Sequence, residues 1–275
     1  MTFDTYIINL DRDLNHFHIL QKKLKTKHIY PIRFKAIYGK DITDYGKYNK
    51  YISTHCKYFC TDAMNGCGIS HYKLLDDIYK KYNTYNQTVY SLILEDDVSP
   101  LFVNKKTIEN IIKNIPTDCD ILSLYCQGIC KYNQSKDTQK KFIKGTKYMG
   151  SAAAYIVKNS SIPKINKQKL HHHIDVQRYF NKDITIYVYH TPLFTVDNST
   201  SYNLEVNNKI NKLPIVSYLS KLLYLDNISI FEAIMYKMFK IPFINVELTF
   251  LSFVLLIITI VICILVYIIK KHVYT

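Results

Sequence analysis

Short apolar runs alternate with amphipathic stretches along the first 200 residues of the chain. Runs of about six β-branched and apolar residues predict buried strands, and apolar residues spaced three and four apart predict helices that cover the sheet. The predicted strands are 5–10, 32–37, 89–94, 119–124, 149–157 and 184–189. The predicted helices are 13–25, 70–82, 107–115 and a short one after residue 173. In the first, Asp13 is the predicted N-cap, and Leu14, Phe17, Leu20 and Leu24 are predicted to share one apolar face. This alternation predicts an α/β sheet domain that ends near residue 205.

Two polar stretches interrupt the pattern. Residues 42–65 and 126–147 are predicted to be loops, and the second is rich in lysine and could order over a substrate. Ser70 is the predicted N-cap of the helix that follows the first loop. Gly66 and Gly68 stand just before it, where glycine lets a backbone or a ligand approach closely.

The C-terminal part of the chain is different in kind. Residues 248–269 form an uninterrupted apolar run of 22 residues without a charge. A helix of that length spans about 33 Å, which is enough for a bilayer core, although a buried soluble helix is the alternative. Residues 209–247 mix apolar residues with lysines and are predicted to be an amphipathic connecting segment or a packed helix. The predicted organisation is therefore an α/β domain over 1–208, the connecting segment, a transmembrane helix and a short tail over 270–275.

The N-terminus has neither a basic start nor a long apolar core, so it does not resemble a signal peptide. A single C-terminal span then predicts a tail anchor with the α/β domain facing the cytosol. Lysines flank both ends of the span, so the positive-inside rule does not fix its orientation.

The chain is strongly basic, with 36 Lys and Arg against 22 Asp and Glu and a net charge of +14. Such an excess suits an anionic partner such as a nucleotide or a membrane surface. The lysines are scattered and no nucleic-acid-binding motif is present, so we do not expect nucleic acid as a partner. Seven cysteines occur without the C-x2-C spacing of a zinc site, and reduced thiols are the simpler expectation unless the domain is lumenal.

The run from Val89 to Leu94 ends in three consecutive carboxylates, Glu95, Asp96 and Asp97. A buried strand does not normally end this way, because each ionised carboxylate needs water, a cation or hydrogen-bond donors. The carboxyl end of a central strand is where ligands bind in α/β sheets. Acids there suit a hard divalent cation that in turn holds a diphosphate. The alternative is a solvated acidic turn.

Several motifs follow one another along residues 5–200. They are YIINLDR at 6–12, RFKAIYG at 33–39, GCGISH at 66–71, LILEDD at 92–97, SAAAYIV at 151–157 and Ile174-Asp175. Together they resemble glycosyltransferase family 25, which holds lipooligosaccharide and procollagen galactosyltransferases. The pairing of GC-x-x-SH with LILEDD is the most specific part. The resemblance implies a GT-A-type nucleotide-sugar-binding fold with a mixed, mostly parallel sheet. It also implies inverting transfer of a hexose, galactose first, from a UDP-sugar to a protein or glycan hydroxyl.

The resemblance also implies a role for individual residues. Asp97 would bind Mn²⁺ or Mg²⁺, and Glu95 would bind the metal or the donor's ribose, with Asp96 in the same motif. Asp175 would be the general base for the acceptor hydroxyl; its alternative role is a helix N-cap. His190, just past the last strand, could be a further metal ligand or a surface histidine.

The remaining implied contacts are with the donor. The nucleotide would lie against four residues at the end of the first strand, and two residues of GCGISH would shape the donor pocket. These residues are Asn9, Leu10, Asp11 and Arg12, with Ser70 and His71. Two other functions stay open: a non-catalytic membrane-tethered module that keeps the fold, and a basic binder of membrane surfaces or nucleic acid, whose binding would fall with salt and need no metal.

Overall fold

The structure is a computed structural model that describes residues 3–83, 89–125, 141–145, 151–196, 237–241 and 246–273. Most of the predicted loop 126–147, most of the connecting segment 209–247 and the predicted end of the α/β domain lie outside the described residues.

A seven-stranded sheet forms the centre of the described domain. Its strands are β1 (Asp4–Asn9), β2 (Pro31–Lys35), β3 (Tyr90–Glu95), β5 (Ile121–Ser123), β6 (Phe142–Lys144), β7 (Ala154–Lys158) and β8 (Ile186–Tyr189), in the spatial order β2-β1-β3-β7-β5-β8-β6. Five strands run in one direction, and β6 and β7 run against them. The predicted mixed, mostly parallel sheet is therefore confirmed. A separate antiparallel pair joins β4 (Val98–Pro100) to β9 (Phe194–Val196).

The central strands are apolar on both faces because helices cover the sheet from both sides. The helices are α1 (Leu14–Lys25), α2 (Thr54–Phe59), α3 (Asp62–Tyr82), α4 (Lys105–Asn114), α5 (Ile162–Ile165) and α6 (Ile174–Phe180). Ile7 and Leu92 share a core with α1 and α4, whereas Ile8 and Ile93 share a core with α3, α5 and α6. This two-sided burial explains why β1 and β3 read as continuous apolar runs.

Helix α1 has the predicted bounds and the predicted apolar face, with Phe17, Leu20 and Leu24 buried. Asp13 is its N-cap by position, as predicted, but its side chain makes no capping hydrogen bond. Leu14, predicted on the apolar face, is 40% exposed instead.

The predicted start of the third helix at Ser70 is wrong. Helix α3 begins eight residues earlier at Asp62, and Thr61 is its N-cap, with its hydroxyl accepting a hydrogen bond from the Met64 amide. The predicted loop 42–65 also contains α2 and a short 3-10 turn, Tyr45–Tyr48.

Gly66 and Gly68, which the sequence analysis places before the helix, lie inside α3. Glycine is needed at both positions because other segments of the chain pack closely against the helix there. A Cβ atom on Gly66 would lie 2.6 Å from the carbonyl oxygen of Ile37 and 2.6 Å from the amide of Gly39. A Cβ on Gly68 would lie 2.4 Å from Leu170 Cδ2. The predicted close approach is therefore present, and the partner is the chain itself.

Cys56 and Cys60 form a disulfide at the end of α2, so the expectation of reduced thiols is wrong for this pair. The two residues are four positions apart, which places both sulfurs on one side of the final helical turn. Cys67, Cys119 and Cys263 are free thiols among the described residues.

The C-terminal part contains two antiparallel strands, β10 (Lys237–Ile241) and β11 (Val246–Thr249), followed by helix α7 (Phe250–Val273). Part of the predicted amphipathic segment is therefore strand. Side chains of α7 are described without a break only from Leu255 to Ile269, and over the described residues no helix is long and apolar enough to cross a membrane. The predicted transmembrane helix is not confirmed and stays a prediction.

Candidate active site at the carboxyl ends of β1 and β3

Asn9 joins the ends of β1, β2 and β3. Its amide nitrogen donates to Asp96 Oδ2 at 2.5 Å and to the carbonyl of Asp13 at 2.9 Å. Its amide oxygen accepts a hydrogen bond from Arg33 Nε at 2.7 Å. Asn9 is buried, and these three side-chain hydrogen bonds all go to neighbours in the site. The predicted donor-binding turn (9–12) and the acid triplet (95–97) therefore meet at one edge of the sheet. This is expected because β1 and β3 are parallel neighbours, so their carboxyl ends lie at the same edge.

Basic side chains surround the predicted turn. Arg33 donates to Asp11 Oδ1 at 2.7 Å, and Lys35 lies 2.6 Å from Asp11 Oδ2. These two cations lower the pKa of the exposed Asp11 carboxyl. The Arg12 guanidinium stacks 3.9 Å from the centre of the Tyr38 ring. Leu10, the fourth predicted residue, supplies the carbonyl that accepts a hydrogen bond from the Asp13 amide.

Arg33 is a site residue that the sequence reasoning does not select. It lies in the quoted RFKAIYG motif and is the only arginine of β2. The signal that could have identified Arg33 is that β2 precedes a glycine turn and pairs in parallel with β1. Side chains near the carboxyl end of β2 therefore reach the same edge of the sheet as Asn9.

Two carboxyl groups of the acid triplet, those of Asp96 and Asp97, have raised pKa values. Burial raises the pKa of Asp96 to about 6. Burial, together with the negative charges of Glu95 and Asp96, raises the pKa of Asp97 well above its usual range. Asp97 Oδ1 is buried and has no hydrogen-bond partner among the described residues. A buried carboxylate oxygen without a donor fits a hard divalent cation, which prefers oxygen ligands.

Glu95 is held from the other side by α3. His71 Nε2 lies 3.0 Å from Glu95 Oε1, and the Cys67 sulfur lies 3.7 Å from the same oxygen. The other ring nitrogen of His71 lies 3.0 Å from the Tyr155 hydroxyl. Burial lowers the pKa of His71 and raises that of the Cys67 thiol, so both groups are neutral and donate to the Glu95 carboxylate.

Ser70 faces away from this cluster. Its hydroxyl accepts a hydrogen bond from the Ile37 amide at 2.8 Å and donates to the Gly66 carbonyl at 2.6 Å. The predicted role of Ser70 in a donor pocket would therefore act through the 37–39 segment, which carries the Tyr38 ring that stacks on Arg12.

Asp175 lies at the start of α6 and is tied to the chain. Its Oδ1 accepts a hydrogen bond from the Ala152 amide at 2.6 Å, and its Oδ2 lies 3.3 Å from His173 Nδ1. Burial alone would raise the pKa of Asp175, but His173 and the Ala152 amide outweigh it and lower the pKa to about 2. The alternative role of N-cap is wrong, because the side chain that caps α6 is that of His173.

Arg178 is a second site residue that sequence reasoning misses. Its guanidinium lies 3.9 Å from the centre of the Tyr155 ring and 3.5 Å from His71 Nδ1. The residue is 6% exposed, and its Nε has no hydrogen-bond partner among the described residues. A small cavity beside it is also lined by Ser123, Ser151 and Asp175. No sequence signal separates this arginine from the other basic residues of the chain.

Among the described residues, His190 is not brought into a metal-binding group. Its ring nitrogen lies 2.7 Å from the Thr191 hydroxyl, and its amide donates to the Lys141 carbonyl. Over the described chain, the residues whose ligand atoms could share one ion are Cys67, His71 and Glu95. The His171–His173 run does not face one ion either, since His173 contacts Asp175 and His172 packs near His55.

The profile of glycosyltransferase family 25, described as an LPS biosynthesis protein family, matches residues 3–185. The chain belongs to glycosyltransferase family 25. The match covers two thirds of the chain and includes every motif from YIINLDR to Ile174-Asp175. The predicted family and the predicted enzyme class, a glycosyltransferase, are confirmed.

Solved structures resemble this glycosyltransferase only distantly. A197 from STIV is 12% identical over 68% of this chain and 81% of that chain, with a TM-score of 0.36. The galactosyltransferase LgtC, in complex with donor and acceptor sugar analogues, is 14% identical over 68% and 73%, with a TM-score of 0.39. Apo mouse xyloside xylosyltransferase 1 is 8% identical over 65% and 80%, with a TM-score of 0.33. These likenesses are too distant to assign a donor or an acceptor. No curated relative matches the chain.

Proposed function

We propose that this glycosyltransferase transfers a hexose, with galactose as the first candidate, from a UDP-sugar to a hydroxyl of a protein or glycan. We propose further that transfer inverts the anomeric centre and requires Mn²⁺ or Mg²⁺. The observation that carries the proposal is the buried Oδ1 of Asp97, which has no hydrogen-bond partner among the described residues and lies beside Asp96 and Glu95 where β3 ends.

The raised pKa values of Asp96 and Asp97 support a cation at this edge. Without one, burying these carboxylates together is costly, and their protons are held more tightly than usual. When bound, a divalent cation neutralises charge on the departing diphosphate. Asp97 would hold it, with Asp96 oriented by the Asn9 amide.

The donor nucleotide has a basic, partly aromatic surface to bind. Arg12, stacked on Tyr38, and the pair Arg33 and Lys35 flank the turn after β1. Charge-assisted hydrogen bonds from such side chains to phosphate oxygens are among the stronger polar contacts in proteins. Glu95 has one oxygen fixed by His71 and Cys67, which leaves its second oxygen for a donor hydroxyl or the metal.

Asp175 stays our proposed general base for the acceptor hydroxyl. It is ionised at any working pH because its pKa is about 2. That low value makes it a weak base in the free enzyme. The proposal therefore needs the Asp175–His173 contact to loosen when an acceptor binds.

We also propose that residues 248–269 anchor the enzyme in a membrane. The support is the 22-residue uncharged apolar run and the helix α7 that contains most of it. The Cys56–Cys60 disulfide is typical of an oxidising compartment, so we propose that face for the domain instead of the cytosolic face predicted from the sequence.

The test uses the full chain in detergent. UDP release is measured from UDP-galactose, UDP-glucose and UDP-N-acetylglucosamine with Mn²⁺, with Mg²⁺ and with chelator. We expect turnover that chelator abolishes and Asp97→Asn removes, while Asp77→Asn on the exposed side of α3 keeps it. Turnover that survives chelator would overturn metal dependence. Failure to bind UDP with or without metal would favour the non-catalytic tethered module.

A further inference from the structure

Cys67 and His71 lie four residues apart on α3 and point at the same carboxylate. The Cys67 sulfur is 3.7 Å and His71 Nε2 is 3.0 Å from Glu95 Oε1. The three ligand atoms all lie within 4.8 Å of one another. A thiol, an imidazole and a carboxylate are the three side-chain ligands that zinc takes in proteins.

These spacings are close to those of a tetrahedral zinc site. Zinc binds sulfur at about 2.3 Å and nitrogen or carboxylate oxygen at about 2.0–2.2 Å, so tetrahedral angles separate sulfur from oxygen by about 3.6 Å and nitrogen from oxygen by about 3.4 Å. The observed separations are 3.7 Å and 3.0 Å. The third separation, from the Cys67 sulfur to the His71 ring nitrogen, is within 4.8 Å, so side-chain rotation has to bring this pair to the ~3.6 Å of a tetrahedral site.

We propose that Cys67, His71 and Glu95 form a binding site for a thiophilic divalent cation such as Zn²⁺. It differs in chemistry from the hard-cation site at Asp97, because thiolate selects zinc over magnesium and manganese. Three protein ligands leave the fourth tetrahedral position for water. The proposal does not require the proposed transferase reaction.

The surroundings of the site support a bound cation. The second ring nitrogen of His71 lies 3.0 Å from the Tyr155 hydroxyl, which is the outer contact that fixes a metal-binding imidazole. Asp175, which is ionised, adds negative charge close to Cys67 and His71. Its charge offsets the Arg178 guanidinium, which lies 3.5 Å from His71 Nδ1.

No single sequence motif contains all three of these ligands. Cys67 and His71 belong to one helix, but Glu95 follows 24 residues later at the end of β3. A search for paired C-x2-C spacings therefore passes over it. Glu95 is also a proposed contact of the donor sugar. Because zinc bound here would occupy Glu95, the donor would lose that contact. We therefore expect Zn²⁺ to inhibit an enzyme supplied with Mn²⁺.

The test uses metal-free full-length protein and Co²⁺, a spectroscopic substitute for Zn²⁺. We expect one equivalent of Co²⁺ to give a thiolate-to-cobalt charge-transfer band and intense tetrahedral visible bands, both removed by Zn²⁺. Cys67→Ser should abolish the charge-transfer band. Cys119→Ser, which changes another buried free cysteine, and Asp97→Asn should keep it. Tyr155→Phe should weaken Zn²⁺ binding about tenfold or more, because it removes the outer contact.

Two results would overturn the proposal. One is the absence of a thiolate band in the folded wild-type protein, which would mean that Cys67 and His71 serve only as hydrogen-bond donors to Glu95. The other is a band that survives in Cys67→Ser. Glu95→Gln is the second variant if Cys67→Ser does not fold, and it should lose the tetrahedral bands. The cobalt spectrum needs no donor sugar, so its failure and a failure of turnover are separate outcomes.

Discussion

His71 Nε2 lies 3.0 Å from Glu95 Oε1 and connects the long helix α3 to the acid-tipped strand β3. The imidazole is fully buried, and burial lowers its pKa, so the ring is neutral in the folded protein. Its Nε2 donates to Glu95, and its Nδ1 accepts from the Tyr155 hydroxyl. The direction of the Glu95 side chain is therefore set by α3, a helix that packs on one face of the sheet to which β3 belongs.

Replacing His71 with leucine should destabilise the protein. It removes the His71 partner of the buried Tyr155 hydroxyl and leaves Glu95 Oε1 with the Cys67 thiol alone, which costs about 2 kcal/mol or more of the free energy of unfolding. Urea denaturation measures this loss. His71→Gln keeps an amide donor for Glu95 and should lose clearly less. Equal losses in both variants would show that the imidazole matters for packing and not for the hydrogen bond.

Asp96 should make the metal-free protein less stable as pH rises. Its pKa is about 6 in the folded protein, against about 3.9 for an unperturbed aspartate, so the folded state binds the proton more tightly. Stability contributed by this group is present below pH 4 and is lost as pH rises to 6, by about 3 kcal/mol at most. We expect Asp96→Asn to gain stability relative to wild type through that window, as measured by urea denaturation at about pH 4, 5, 6 and 7.

Asp77→Asn is the control for the substitution itself, because Asp77 is exposed on α3, where it lies 3.7 Å from Lys80. The stability difference from wild type should depend more steeply on pH for Asp96→Asn than for Asp77→Asn. Equal pH dependence in the two variants would mean that Asp96 is hydrated and not buried in the folded state.

Asp175→Asn separates a general base from a structural carboxylate. The asparagine oxygen can still accept the Ala152 amide, so the local fold should survive. If Asp175 is the base, kcat falls by about 10²- to 10⁴-fold while the affinity for UDP is unchanged. Initial rates and UDP binding by calorimetry give the two quantities. An unchanged kcat would remove Asp175 from the chemistry and leave it as the anchor of the 151–152 segment.

The parts of the fold that sequence predicts well are those set by local pattern. Strands β1 and β3 carry continuous apolar runs because both their faces are buried, and helix α1 carries an apolar stripe because one of its faces is buried. The acid triplet lies at the predicted ligand-binding edge because it begins at the carboxyl end of β3. Since β1 and β3 are parallel neighbours, the Asn9 turn and Asp96 meet there.

The parts that sequence misses depend on contacts between distant segments. Gly66 looks like a helix breaker, but it serves the approach of the 37–39 segment. Arg178 and Tyr155 come together only because α6 packs beside β7. The sequence motif assigns Ser70 to the donor pocket, yet its hydroxyl is used by Ile37 and Gly66. No local pattern carries information of this kind.

Gly66→Ala should destabilise the protein although alanine is the better helix former. The added Cβ would lie 2.6 Å from backbone atoms of Ile37 and Gly39, which cannot move as easily as a side chain. Overpacking of this kind costs about 1–3 kcal/mol, against about 1 kcal/mol gained in helix propensity. Lys73→Ala, at an exposed position of the same helix, should be close to neutral. A Gly66→Ala variant as stable as wild type in urea would contradict the close approach.

Membrane anchoring by residues 248–269 can be tested with a single tryptophan, because the chain has none. Tyr267→Trp puts the reporter in the apolar run, and Tyr30→Trp puts one in the α/β domain, at tyrosines with matched exposures of 68% and 69%. If α7 enters the bilayer, the emission of the Tyr267→Trp variant shifts to the blue in vesicles. It is also quenched by lipids that carry a nitroxide on the acyl chain, whereas the emission of the Tyr30→Trp variant is not. Equal responses, or no quenching of the Tyr267→Trp variant, would mean that this helix is buried against protein instead of lipid.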